Sequence, residues 1–315
     1  MSNGRIDVHS HFLPDFYRAA AAAAGHAQPD GIAELPAWTA AGHVAVMDRL
    51  GIATSLLSIS SPGVHFGDDG AARALARQVN EEGQHAVEAH PGRFGLFAAL
   101  PAPDVDGSIA EIRYCYDHLG ADGVALLTNV GGTYLGDPAL EPVFDELDRR
   151  RARVFVHPTS PACWESTSFG RPRPMIEFLF DTTRAVVNLV LNGTVARHPG
   201  IEFVIAHAGA ALPVIADRVA AFTIVLTDVD SEADIIPDLA RLHYDLAGFP
   251  VPRQLDAILA LTTLEHLHYG SDYPFTPEFI VETGAQALAN AGSVASALTG
   301  NTRQLFPDSR NLAAE

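Results

Sequence analysis

Five side chains of this sequence have the types and spacing that metal chemistry needs. His9 and His11 sit one residue apart in RIDVHSHFLP, residues 5–14. Residues i and i+2 of an extended strand project from one face, so both imidazoles can aim at one point. RVFVHP then ends in His157, FVIAHAGA carries His207, and LHYGSDYPF carries Asp272. Neutral nitrogens from His9, His11 and His157 with a carboxylate from Asp272 suit Zn²⁺ first and Mn²⁺ as an alternative. A catalytic site of this kind keeps one coordination position for water or substrate. His207 remains as a base beside the ion, able to activate a bound water or carry a proton. A single histidine at a strand end is commonly a hydrogen-bonded core residue, and Gly270-Ser271-Asp272 alone reads as a turn or helix cap. Five such groups at the same ends of four separate segments favour one site.

These groups need elements that bring them together. Near-continuous apolar runs, as expected of parallel strands covered on both faces, recur at 6–9, 53–59, 94–99, 123–127, 154–157, 203–207, 243–245 and 268–271. Amphipathic stretches lie between them, at 72–89, 108–119, 139–150 and 175–197. Eight strands alternating with helices predict an α/β fold, a (β/α)8 barrel of the TIM type, which keeps its active site at the C-terminal strand ends. An open doubly wound sheet is the alternative, but no Gly-x-Gly-x-x-Gly follows the first strand. The reading is one domain over residues 1–315, with loop insertions at about 14–40 and 158–174 as candidate lids or pocket walls. His243 and His268 fall near the wrong strand ends and read as structural.

Composition removes several alternatives. The net charge of −18 argues against nucleic acid and anionic membranes as partners. No signal peptide and no membrane-length apolar run stand out. With only Cys115 and Cys163, a reducing cytoplasm is the expected compartment. All 20 basic residues other than histidine are arginine, so there is no Schiff-base lysine and no carboxylated lysine to bridge two ions. One metal ion is therefore expected.

DVHSHFLP, VFVHP, FVIAHAGA and YGSDYPF, in that order, resemble the amidohydrolase superfamily. More narrowly they resemble its decarboxylase branch, which includes aminocarboxymuconate semialdehyde decarboxylase and the salicylate-type decarboxylases. MDRLGIATSLLSIS, HPGRFGLFAALP, YLGDPALEPVFDEL and GNTRQLFP extend the likeness from Arg5 to about Phe306. LGADGVALLTNVGGTYLGDP and FDTTRA most resemble the 6-methylsalicylate decarboxylases. The resemblance implies His9, His11, His157 and Asp272 as metal ligands, His207 as the catalytic histidine, and a homodimer or higher oligomer. Two departures stand out. The family's glycine pair after the strand-6 histidine reads here Ala208-Gly209-Ala210, which implies a backbone slightly farther from substrate. The semialdehyde decarboxylase holds a second carboxylate with an arginine ahead of its second-strand helix. Here no arginine lies between Arg18 and Arg49, which favours an aromatic monoacid.

The expected reaction is non-oxidative loss of CO₂ from a hydroxybenzoate such as 6-methylsalicylate, giving 3-methylphenol with no organic cofactor. Asp272 or His207 delivers the proton. Trp38, Asn129, Trp164, Phe180, Arg184 and Phe275 are candidate substrate contacts. The alternatives are a mononuclear metal-dependent hydrolase of a lactone or amide, and a metal-holding structural or sensory protein without turnover.

Overall fold

A computed structural model describes residues 4–225, 233–307, 309, 311 and 312. The eight strands form as expected: β1 Arg5–His11, β2 Ile52–Ser58, β3 Phe94–Ala99, β4 Gly123–Leu127, β5 Arg153–His157, β6 Glu202–Ile205, β7 His243–Asp245 and β8 Leu267–His268. They pair in that order and all in parallel. Parallel bridges Asp7–Tyr269 and Ser10–Tyr273 bring β8 back to β1, so the sheet closes into a barrel. The α/β barrel read from the sequence is the observed fold.

Two strands are shorter than their apolar runs. β6 stops at Ile205 and β8 at His268, so His207 and Asp272 stand on the turns beyond, at φ 58° each. β1 departs from regular pairing between Asp7 and Ser10. Val8, Leu56, Phe97, Ala125, Phe155 and Val204, one from each of the first six strands, pack together with Leu305 and Phe306. They fill the barrel as a solid plug. The Phe155 ring lies 4.8 Å from the His9 ring and forms the floor of the site above it.

The helices are α1 Asp15–Ala23, α2 Ala40–Leu50, α3 Asp69–Ala89, α4 Val105–Tyr114, α5 Glu141–Arg149, α6 Glu177–Leu191, α7 Leu212–Thr223, α8 Arg253–Leu261, α9 Glu278–Ala289 and α10 Val294–Leu305, with shorter turns between some of them. The amphipathic stretch at 175–197 breaks at Gly193, which ends α6 as a left-handed residue. Among the described residues no helix is long and apolar enough to cross a membrane.

Trp38, a candidate substrate contact, instead belongs to this outer layer. Its Nε1 donates to Nδ1 of His43 at 3.0 Å, and its ring packs on Phe12 and Phe94. Accepting that hydrogen bond requires neutral His43. Burial, then the neighbouring His11 and Arg93, push its pKa down to about 3. Between pH 3 and the ordinary value of 6.5 the unfolded chain binds the extra proton, so this contribution to stability is complete above 6.5 and is lost on acidification. Within that window stability is expected to fall by up to about 1.4 kcal/mol per pH unit from this group. Urea titrations from pH 7 to 4 check it: His43→Asn, which keeps an acceptor but does not titrate, should flatten the slope.

The turn after β6 carries the sequence's departure from the glycine pair. His207, Ala208, Gly209 and Ala210 are all at positive φ, and Ala210 adopts φ 56°, ψ −117°, a conformation that suits glycine. Relief of that strain outweighs the extra freedom glycine gives the unfolded chain. Ala210→Gly is expected to stabilise by about 1 kcal/mol, read as a rise of roughly 1–2 °C in melting temperature.

Candidate metal centre and active site

His9, His11, His157 and Asp272 converge at the C-terminal mouth of the barrel, their ligand atoms all within 4.8 Å of one another. The three histidines are buried, and the Asp272 side chain is 20% exposed, which leaves one side open. Each histidine is held through Nδ1. His9 Nδ1 lies 2.9 Å from Asp245 Oδ2, and His157 Nδ1 lies 2.7 Å from the Pro158 carbonyl. His11 Nδ1 lies 2.9 Å from Ser58 Oγ, whose own hydrogen goes to the Ser10 carbonyl. Nδ1 therefore carries the proton on all three rings and Nε2 is left to face inward.

Nε2 of His9 and of His11 are buried and have no hydrogen-bond partner. Such groups are costly unless something occupies the space between them. The electrostatics agree. Burial disfavours a charged His9, but Asp245 and Asp272 outweigh it and raise its pKa to about 10. Burial also opposes ionisation of Asp272, yet the imidazoles of His11, His207 and His9 around it hold its carboxyl well below the usual range. Burial lowers His11 and, together with His11 and His9, lowers His157 further. Two anionic carboxylates beside one proton-hungry and two neutral imidazoles form a site that calls for a cation. Three nitrogens and a carboxylate oxygen fit one divalent ion with a position to spare.

His207 stands beside this group, its ring centre 5.0 Å from that of His9. Its backbone is fixed on both sides: its N–H donates to Asp245 Oδ1 at 3.1 Å, and its carbonyl accepts from Gln254 Nε2 at 2.6 Å. Gly248 makes room, since a Cβ there would come 3.0 Å from His207 Cδ2. Asp245 thus orients a ligand histidine with one oxygen and the His207 turn with the other. The sequence reading passed over it, although it ends the seventh strand of the same barrel. Asp7 was missed as well: buried, it accepts from Ser271 Oγ at 2.6 Å and from the Ser271 N–H at 3.0 Å, which sets the turn that presents Asp272.

A cavity of about 260 Å³ opens over the site, at the small end for ligand pockets. Ile32, Pro174, Met175, Phe178, Leu179 and Phe275 form its apolar walls; Asp30, Ser60, Ser61, His157, His207 and Asp272 are its polar groups. Both long loops contribute, the first through Asp30 and Ile32, the second through Pro174. Of the candidate contacts, only Phe275 lines this cavity. Phe180 does not: α6 turns Phe178 and Leu179 inward and leaves Phe180 49% exposed. Arg184, one turn on, faces outward and lies 3.9 Å from Asp181. Asn129 and Trp164 line a neighbouring cavity of about 340 Å³ instead. Asn129 is committed to Asp181, whose carboxylate also accepts from Thr128 and Tyr134 and ties the Asn129–Tyr134 hairpin to α6. His243 and His268 hydrogen-bond to each other at 2.9 Å, and His268 also to Thr302, as structural residues.

A closed parallel barrel with a three-histidine, one-aspartate centre at its mouth defines a class of metal-dependent enzyme, and the sequence comparisons narrow it. The amidohydrolase family model matches residues 6–307, and the chain belongs to that family. A 6-methylsalicylic acid decarboxylase of Aspergillus aculeatus is 35% identical over 319 residues, covering 96% of each chain. A solved structure described as an amidohydrolase II superposes with a TM-score of 0.91 at 33% identity, over 96% of this chain and 100% of its own. A dihydroxybenzoic acid decarboxylase from Polaromonas sp. JS666, solved with bound manganese and the inhibitor 2-nitroresorcinol, shares the fold at a TM-score of 0.84 and 19% identity, over 99% of each chain.

Proposed function

We propose that this chain is a metal-dependent, non-oxidative decarboxylase of a hydroxybenzoate-type acid, with 6-methylsalicylate as the first substrate to test. The observation that carries the reading is the juxtaposition of the His9–His11–His157–Asp272 group with His207 under a small, mainly apolar cavity. The relative named as a 6-methylsalicylic acid decarboxylase, similar over nearly the full chain, supports the substrate class. So does the cavity wall, which has flat apolar faces for a ring and no arginine.

One divalent ion held by His9, His11, His157 and Asp272 would supply positive charge opposite the oxygens of the acid. Zinc is the ion this donor set fits first, and manganese the second. The protein's own groups do the rest. Phe275, Phe178 and Ile32 hold the ring and keep water from its faces. Direct loss of CO₂ would leave an aryl carbanion, so the carbon bearing the carboxylate must first take a proton. We assign that proton to His207, whose ring stands beside the ligand group without belonging to it, with Asp272 as the alternative donor. The bond to the carboxylate carbon then breaks, its electron pair returns to the ring, and CO₂ and the phenol leave. Two unpaired cysteines, Cys115 buried and Cys163 exposed, fit the proposed cytoplasmic setting. A homodimer or larger assembly is also proposed, and light scattering measures it.

Incubation with hydroxybenzoates, lactones and amides, read by product mass, tests the reaction type. Loss of CO₂ from a hydroxybenzoate is the expected result. Addition of water to a lactone or amide, with no CO₂ from any acid, would replace the decarboxylase by the hydrolase.

A further inference from the structure

An anionic acid must reach this site against a net charge of −18, through a cavity whose charged walls are Asp30 and Asp272. The neighbouring cavity shares Asp30 but adds a cation. Arg173 lines it, with its guanidinium 4.1 Å over the ring of Trp164 and Nε donating to Ser160 Oγ at 3.1 Å. Ser160 Oγ in turn donates to Asp30. Among the described residues no carboxylate lies within ion-pair distance of Arg173; the nearest negative charge, Asp30, reaches it through Ser160. The chain makes room for it: Gly31, at φ +76°, leaves its Cα side open, and a Cβ there would come 2.7 Å from Arg173 Nη1. The two cavities share a wall. Asp30 lines both, Arg173 and Pro174 face one each, and Ser61 on the catalytic side meets Thr159 on the other at 2.7 Å.

We propose that this second cavity is an anion subsite, in which Arg173, held over the Trp164 ring, captures the carboxylate of an incoming aromatic acid before the acid passes to the catalytic cavity. A planar guanidinium presents paired N–H donors to a carboxylate, and the indole beside it offers a face to the ring. The subsite also explains why the catalytic cavity can do without an arginine: the charge that admits the acid stands outside the place where CO₂ must leave. The inference rests on the aromatic-acid reading above, and its test does not depend on turnover.

Calorimetric titration of salicylate into chelator-stripped protein at low ionic strength reads the subsite without the metal. Native protein is expected to bind, Arg173→Met to bind about tenfold more weakly, and Arg173→Lys to fall between. Gly31→Ala, which pushes the guanidinium aside, should weaken binding with Arg173 still present. In the metal-loaded enzyme, Arg173→Met should raise KM about tenfold, leave kcat within about twofold, and abolish the salt dependence of kcat/KM. Circular dichroism confirms that each variant is folded. Equal salicylate affinity in native, Arg173→Met and Gly31→Ala proteins, or no binding to the stripped native protein, overturns the subsite. If native holoenzyme releases no CO₂ while the binding differences hold, the decarboxylase reading fails and the subsite stands.

Discussion

His207→Ala is expected to keep its metal and lose turnover by about a thousandfold, within the range that removal of a positioned proton carrier produces. The ligand group is complete without His207, since the four donor atoms meet within 4.8 Å among themselves. Metal content should therefore stay at the native value. The backbone need not shift either: Asp245 holds the residue-207 N–H and Gln254 its carbonyl, and neither contact uses the imidazole. KM should change little, because in the proposed complex the ring of the acid is held by Phe275 and Phe178, which line the cavity, and not by His207. Steady-state kinetics with metal analysis on the same preparation checks all three. A loss below about tenfold would move the proton transfer to another group, Asp272 first.

His11→Ala should have the second large effect, by another route. It removes one of four donors and leaves Ser58 Oγ without its imidazole. Metal content should fall to near zero after dialysis and turnover with it, while the barrel, whose apolar plug is separate, stays folded. Asp245→Asn makes a graded comparison. It keeps the shape but weakens the hold on His9 Nδ1, and outer partners of this kind are worth about 10–100-fold in metal affinity. Excess metal should restore most of the Asp245→Asn activity and little of the His11→Ala activity. Equal rescue of both would mean that His11 is not a ligand.

Much of this was legible in the sequence because a parallel barrel writes its strands as apolar runs. The eight strands fall where those runs do, with β3, β4 and β7 matching residue for residue. The donor group was legible for the same reason: chemically active residues at strand ends must share a rim. What was not legible depends on direction. Phe178, Leu179 and Phe180 look alike in sequence, yet each step around α6 turns a side chain by about 100°, and only the first two face the cavity. Trp38 was misplaced because nothing local marks His43 as its acceptor. Asp245 and Asp7 act on residues more than 200 positions away, and no spacing rule reports such partners. The place of Arg173 is not legible in sequence because it depends on a cavity that two distant loops build, in which the guanidinium meets Ser160 and Trp164 but no carboxylate at ion-pair distance.

Metal titration of the stripped protein, with CO₂ and 3-methylphenol from 6-methylsalicylate measured at each step, tests the central claim most directly. Turnover should be absent at first, rise in proportion to added zinc or manganese, and level off at one ion per chain. Full turnover in the stripped protein, or a plateau reached only at two ions, would contradict the account.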